Sequence, residues 1–216
     1  MRLYVVVEGE TEQRVLPIWL QCINPTISRV SSVALLDENT FYLISGGGYP
    51  NYLRVVANAA EDVRSRGVAD RLVIIGDAEE KTVSERRMEL ELAVGELPPG
   101  IQLRVVVQNR CFESWALGNR RVCTKNTQNP LLRQFRAYHD VLHEDPELMG
   151  TIDSEKWNRA QFAYKYLALL LQEKQAVYTK SNPRYLASAK YFDALQRRVQ
   201  ETSHIATFAD FIAAVT

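Results

Sequence analysis

Four short runs of apolar, largely β-branched residues recur in the first half of the chain, and each predicts a buried strand. The runs occupy residues 3–7, 40–45, 71–77 and 101–107. Between them, apolar residues return every three or four positions and predict amphipathic helices over 11–20, 52–66 and 84–95. Uninterrupted apolar strands that alternate with helices are typical of a mostly parallel sheet covered on both faces. The pattern therefore predicts an α/β fold, with a mostly parallel sheet flanked by helices.

The pattern changes near residue 119, after which no segment resembles a strand. Helical periodicity continues over residues 131–141, 155–175, 183–200 and 208–215. We therefore predict an α/β domain over 1–118 and a C-terminal helical extension over 119–216. The extension is expected to pack on the edge of the sheet, so that the two parts form a single compact unit.

Composition and charge narrow the classes of function. The 216 residues include 26 basic and 26 acidic side chains, so the net charge is zero and binding to nucleic acid would need a local patch. No apolar run approaches the roughly 20 residues of a membrane span, and a strand at the start leaves no room for a signal peptide. Cys22, Cys111 and Cys123 form no paired metal motif. These features predict a reduced cytoplasmic protein without a membrane segment.

Carboxylates follow three of the predicted strands. Glu8 follows the first strand, Asp77 and Glu79 follow the third, and Glu113 lies just beyond the fourth. Parallel strands end at the same edge of a sheet, where ligands bind in open α/β folds, so these groups are expected to converge. Clustered carboxylates repel one another unless a cation lies among them, and a ligand set made only of oxygen favours Mg²⁺ or Mn²⁺. Such sites usually serve phosphoryl chemistry, by polarising a phosphate and activating water.

A structural interpretation of the same residues is also open. An aspartate after a strand often caps the next helix, so Asp77 could have that role. Thr11 is expected to cap the first helix, and Glu12, Glu80 and Glu85 are expected on the solvated surface. The coincidence of three acidic strand ends in one short α/β chain favours the metal site.

The residues around these strand ends resemble a known fold family. The segment 7–12 (VEGETE) after an apolar strand, with 76–79 (GDAE) after another, resembles the Toprim domain of topoisomerases, primases and OLD-family nucleases. The VEGxTE form, followed by 112–117 (FESWAL), is more specifically similar to a bacterial family of Toprim-like proteins that is often encoded beside ABC-type ATPases.

The resemblance implies a Toprim-like Rossmannoid sheet and a role for each acidic residue. Glu8 would be the general acid or base, Asp77 the main Mg²⁺ ligand and Glu79 the second member of an acidic pair. Glu113 would be an auxiliary ligand or an orienting group, and Glu8, Asp77 and Glu79 are the expected metal ligands. The family pair is Asp-x-Asp, whereas this chain has Asp-x-Glu, which moves the second carboxylate by about one C–C bond.

Basic residues are concentrated near the predicted acidic edge. Seven of them lie between positions 104 and 136: Arg104, Arg110, Arg120, Arg121, Lys125, Arg133 and Arg136. Glu113 is the only acidic residue in that range, so a phosphate-binding surface and an ordinary charged surface are both open. The candidates for binding phosphate or nucleic acid are Arg110, Arg120, Arg121 and Lys125.

Two further segments have two interpretations each. Lys180, Arg184 and Lys190 are interspersed with Tyr178, Tyr185 and Tyr191, which indicates either a basic and aromatic face or tyrosines in the core. Residues 46–48, three glycines, could bring backbone N–H groups to a phosphate or form a flexible connection.

Three functions are compatible with this sequence. The first is a Mg²⁺-dependent (or Mn²⁺-dependent) nuclease or phosphodiester-cleaving effector on DNA or tRNA, to which the resemblance adds phage defence with an ABC-type ATPase partner. The second is a catalytically degenerate Toprim-like binding module that docks on such an ATPase, and the third is a phosphohydrolase of small nucleotides. A homo-oligomer is open in each case.

Overall fold

The structure, a computed structural model that describes residues 1–216, contains one five-stranded parallel sheet. Its strands run in the order β2-β3-β1-β4-β5, and every neighbouring pair is parallel. They are β1 (Arg2–Val7), β2 (Ser28–Arg29), β3 (Thr40–Ser45), β4 (Arg71–Asp77) and β5 (Gln102–Gln108). The predicted α/β fold class with a parallel sheet flanked by helices is confirmed, and β2 is the one short strand that the sequence pattern did not indicate.

Eight α-helices surround the sheet. They are α1 (Glu10–Ile23), α2 (Asn51–Arg66), α3 (Val83–Val94), α4 (Phe112–Ala116), α5 (Pro130–Tyr138), α6 (Arg159–Glu173), α7 (Ala189–Thr202) and α8 (Ala206–Val215). Three-residue 3-10 helices lie at Val33–Leu35, Arg120–Val122 and Pro146–Leu148. No helix is both long enough and apolar enough to span a membrane.

The two faces of the sheet belong to two hydrophobic clusters. Alternate residues of a strand point to opposite faces, so Val5 and Val7 join one cluster while Tyr4 and Val6 join the other. The smaller cluster includes the buried sides of α2 and α3. The larger cluster includes α1, α4 and all the C-terminal helices, so residues 119–216 share a core with the α/β part. The helical extension packs on α1 and α4 over one face, and α8 also contacts β5 at the sheet edge.

The helix starts differ from the predictions in three ways that concern the acidic edge. Gly9 precedes α1 as its N-cap without a side-chain bond, and the Thr11 hydroxyl instead donates to the carbonyl oxygen of Lys180 (3.1 Å). The cap of α3 is Thr82, which forms a reciprocal capping box with Glu85. Asp77 is therefore not a helix cap, and the structural interpretation of that residue is wrong.

Two of the C-terminal helices, α6 and α7, begin later than their periodicity predicts. Residues before α6 form a turn in which Asp153 accepts hydrogen bonds from two backbone N–H groups, and Asn158 then caps the helix. In the same way, Ser188 caps α7, which starts at Ala189 and not at residue 183. Side chains that bond local N–H groups compete with the helix and fix its first residue.

Candidate functional site

A cleft of 410 Å³ opens at the carboxyl edge of the sheet, where β1 and β4 end. Five acidic side chains line it: Glu8, Glu12, Asp77 and Glu113 from within, and the exposed Glu10 at its rim. Glu8, Glu12 and Glu113 are 7%, 3% and 2% exposed, whereas Asp77 is partly buried. Phe112 is the one hydrophobic residue of the lining. The structure therefore brings together three of the four predicted site residues and adds Glu12.

The turn from β1 to α1 positions Glu8 and Glu12. The Glu8 carboxylate accepts a hydrogen bond from the backbone N–H of Asp77 (3.0 Å), which joins the ends of β1 and β4. Glu12 lies in the first turn of α1, where the helix dipole favours a negative charge. A Cβ atom at Gly9 would lie 3.2 Å from a Glu12 carboxylate oxygen, so glycine leaves room for this group. The prediction that Glu12 lies on the solvated surface is wrong, because this turn faces the cleft.

Gln108 links two of the carboxylates. It ends β5 directly opposite Asp77 in the parallel register and is fully buried. With its amide oriented to satisfy its neighbours, its nitrogen donates to the Asp77 carboxylate and to Glu12 (3.2 Å). A single neutral amide therefore holds two acidic groups side by side.

The C-terminal extension completes the cleft. The Tyr178 hydroxyl donates to the Glu113 carboxylate (2.8 Å), and this pair is buried. The bond from Thr11 to the Lys180 backbone fixes the same segment to the start of α1. Lys180 thereby becomes the one cationic side chain in the lining. Of the two interpretations of the tyrosine-rich segment, core packing holds for Tyr178, and a basic contact with the site holds for Lys180.

The electrostatics of the cleft are dominated by uncompensated negative charge. Burial raises the pKa of Glu8, and burial together with the charges of Glu113 and Glu8 raises the pKa of Glu12 to about 7. The pKa of Asp77 lies well above its usual value, because the group has lost contact with water and lies among the charges of Glu12 and Glu8. The pKa of Lys180 is raised in turn, chiefly by the charge of Glu113.

Glu79 lies outside this cluster. Its backbone adopts a positive φ of 52°, and its side chain is 53% exposed. Its carboxylate faces the buried guanidinium of Arg86 (3.8 Å), which also bonds Glu89 (2.7 Å). The acidic pair that the resemblance implies is therefore split, with Asp77 in the cleft and Glu79 on the outer side of the loop.

The predicted phosphate-binding residues do not line the carboxylate cleft. The Arg110 guanidinium donates to the backbone carbonyl oxygens of Glu79 (3.4 Å) and Lys81 (3.1 Å), and so supports the loop after β4. Arg120 bonds Glu201 (2.9 Å) in the helical extension. The remaining two candidates are exposed elsewhere on the extension: Arg121 and Lys125.

The N–H groups of the glycine turn beside the cleft are used within the protein, and that of Gly47 donates to the Ser45 hydroxyl (3.2 Å). The interpretation of residues 46–48 as a contributor to the site is compatible with their position, because Gly47 and Gly48 line the cleft. Both have positive φ angles, and the Gly48 N–H donates to the Glu8 carbonyl oxygen (2.9 Å). This turn is therefore tied to the end of β1.

The donor set fits a hard divalent cation in its chemistry. It consists of carboxylate oxygens with mutually raised pKa values, and the excess negative charge is what such a cation would neutralise. In this conformation no three acidic, histidine or cysteine side chains are close enough to hold a metal ion together. Each carboxylate instead takes donors from the protein, among them Gln108 and Tyr178.

No protein family model, curated protein sequence or solved structure matches this chain. The function is therefore argued from the site itself. Of the residues that sequence reasoning missed, Glu12 had a signal, since it closes the VEGETE segment that also contains Glu8. Gln108 had none, because it meets Asp77 and Glu12 only through the tertiary fold. Tyr178 and Lys180 belong to the basic and aromatic segment, but no sequence signal places that segment at the cleft.

Proposed function

We propose that this protein is a Toprim-like, divalent-metal-dependent enzyme that hydrolyses phosphodiester bonds in nucleic acid. The observation that carries the proposal is the meeting of four buried or partly buried carboxylates with one lysine at the carboxyl edge of a parallel sheet. Structural ion-pair networks usually balance their charges, whereas this cleft holds five acidic groups, the exposed Glu10 included, against Lys180 alone. A cytoplasmic location is part of the proposal that rests on the cysteine pattern, and a role in phage defence beside an ABC-type ATPase rests on the resemblance.

Each residue of the cleft would have a separate role in hydrolysis. Asp77 and Glu8 would hold the metal with help from Glu12 or Glu113, and bound Mg²⁺ or Mn²⁺ supplies a Lewis acid that polarises phosphate and lowers the pKa of water. Glu8, whose pKa is raised by burial, is suited to accept and return a proton. Lys180 would face the negative charge of the phosphate, and Gln108 would keep Asp77 and Glu12 in position.

The test is cleavage of plasmid DNA and of tRNA in the presence of Mn²⁺ or Mg²⁺. We expect Glu8→Gln to lower the rate by roughly 10²-fold or more, as loss of a general acid or base does. Glu91→Gln is the matched control, because Glu91 is an exposed glutamate on α3 that lines neither this cleft nor its surroundings. Equal rates in the wild type and Glu8→Gln would reject the assignment. A preparation that turns over only free nucleotides would instead support a small-nucleotide phosphohydrolase.

A second candidate function is a binding module without catalysis. It is favoured by the position of Glu79, which faces Arg86 outside the cleft, and by the bonds that Gln108 and Tyr178 already make to the carboxylates. Such a module would dock on an ABC-type ATPase. It predicts that Glu8→Gln and the wild type bind an ABC-type ATPase partner equally in a pull-down, and that neither protein cleaves nucleic acid.

A further inference from the structure

A second, larger cleft of 750 Å³ adjoins the carboxylate cleft. Lys180 and Glu10 line both clefts, so the two are continuous. The other walls come from the N-terminal part of α6 and the turn before it, and they carry two lysines and two aromatic rings: Lys156, Trp157, Tyr164 and Lys165. We call this the basic–aromatic cleft.

Contacts between the start of α6 and the loop after β4 position the basic–aromatic cleft relative to the sheet. The Glu80 carboxylate, in the loop after β4, accepts a hydrogen bond from the backbone N–H of Arg159 (3.0 Å) and also faces its guanidinium (3.6 Å). A capping box between Asn158 and Gln161 fixes the start of α6. The start of α6 is therefore held beside the loop that follows Asp77.

The aromatic rings of this cleft are supported from behind and partly open in front. Trp157 packs edge-on against Phe135 (5.6 Å between ring centroids) and is only partly buried. The Lys156 ammonium lies over the Trp157 ring, 4.5 Å from its centroid. Tyr164 rests on Tyr178 (5.7 Å), the residue that bonds Glu113. Rings held in this way can stack on a planar ligand without first being ordered.

The lysines give this cleft an excess of basic charge in a chain whose net charge is zero. Three lysines line it, against the two carboxylates of Glu10 and Glu79. Lys156 contacts an aromatic face, and Lys165 is exposed. The combination of ammonium groups with partly open rings matches a ligand that carries both phosphates and flat bases.

We propose that the basic–aromatic cleft binds single-stranded nucleic acid and leads it to the carboxylate cleft. Bases of a single strand present faces that can stack on Trp157 and Tyr164, whereas a duplex hides those faces. Lys156 and Lys165 contact the phosphates, and Lys180 lies where the strand passes into the carboxylate cleft. The delivery step rests on the proposed hydrolysis, but the binding step does not.

The binding step is tested in EDTA with labelled oligothymidylate and oligouridylate of about ten nucleotides, by fluorescence anisotropy over a salt series. We expect Lys156→Ala/Lys165→Ala to weaken binding by roughly tenfold at low salt and to reduce the salt slope by about 1.4, as loss of two phosphate contacts to a single strand does. Lys174→Ala is the matched control, because Lys174 is an exposed lysine at the far end of α6 and lines neither cleft. The two oligonucleotides distinguish DNA from RNA.

Tryptophan fluorescence gives a second readout. Trp19 and Trp115 are fully buried, so quenching on addition of oligonucleotide is expected to come from Trp157. Trp157→Phe should abolish the quenching, and Tyr164→Ala should weaken binding by roughly fivefold or more, as loss of a stacking platform does. If Tyr164→Ala does not fold, binding is measured with Tyr164→Leu, which also removes the aromatic ring but leaves a larger side chain in its place.

The outcomes separate this proposal from the proposed function. Hydrolysis of bis(p-nitrophenyl) phosphate with Mn²⁺ by the wild type, without oligonucleotide binding, overturns the single-strand cleft alone. Binding that weakens in the lysine double variant, without any hydrolysis, supports the cleft and counts against the enzyme. Equal loss of affinity in Lys174→Ala, or preferred binding of duplex, overturns the cleft proposal.

Discussion

Replacing Glu12 with glutamine should stabilise the metal-free protein above neutral pH. Burial, with the charges of Glu113 and Glu8, raises the pKa of Glu12 to about 7, so its ionised form is disfavoured in the folded state. Glutamine is neutral and keeps a carbonyl oxygen that can accept the hydrogen bond from Gln108. The substitution removes a charge and leaves the packing almost unchanged.

The size of the effect follows from linkage between protonation and folding. The pKa of Glu12 is about 7 in the folded chain against a usual value of 4.5, so the acid binds its proton more tightly when folded. Its contribution to stability is fully present below the unfolded pKa and is lost as pH rises through the folded pKa. At about pH 8, Glu12→Gln is then about 3 kcal/mol more stable than the wild type. At about pH 5 the difference in stability falls below about 1 kcal/mol.

The assay is urea unfolding of both proteins in EDTA at these two pH values, followed by circular dichroism. Glu91→Gln is the control, since Glu91 is exposed on α3 and lies outside the carboxylate cleft, and its effect should stay within about 0.5 kcal/mol. The reasoning is refuted if Glu12→Gln is no more stable than the wild type at the higher pH. A difference of equal size at both pH values would also refute it, because the cause would then not be ionisation.

Three further measurements probe the site and its support. Calorimetry should detect Mn²⁺ binding to the wild type and not to Asp77→Asn, and saturating Mn²⁺ at about 100 times its Kd should stabilise only the wild type, by about 2.7 kcal/mol. Glu147→Ala should lower the free energy of unfolding by about 2–4 kcal/mol in urea, because the buried carboxylate accepts bonds from the backbone and side chain of Thr207 at the start of α8. Gly46→Ala should cost about 1–3 kcal/mol in the same assay, since a Cβ atom there would lie 2.6 Å from the Tyr52 Cα.

The acidic strand ends show which features of the site local sequence patterns can predict. Runs of β-branched residues predicted β1, β3, β4 and β5, because strand formation and burial are encoded within a few neighbouring positions. Parallel strands share an edge, so Glu8 and Asp77 could be placed near each other before any coordinates were known.

Side-chain direction at the same edge was not predictable. Glu79 was expected beside Asp77, but a positive φ and the buried Arg86 hold it outside the cleft. Glu12 was expected in solvent, and the turn after Gly9 points it inward. These directions depend on one dihedral angle or one distant partner, which a pattern of residue types does not contain.

The sequence by itself determined the layered α/β fold and the acidic character of one sheet edge, since both follow from residue spacing and strand direction. Only the tertiary structure decided which groups complete that edge. Tyr178 and Lys180 come from a loop about 170 residues after β1. Gln108, at the end of β5, donates to Glu12 in the first turn of α1. Contacts between residues so distant in sequence form only when the whole core packs. The segments come together because they bury one shared hydrophobic cluster, and local conformational preferences do not specify that packing.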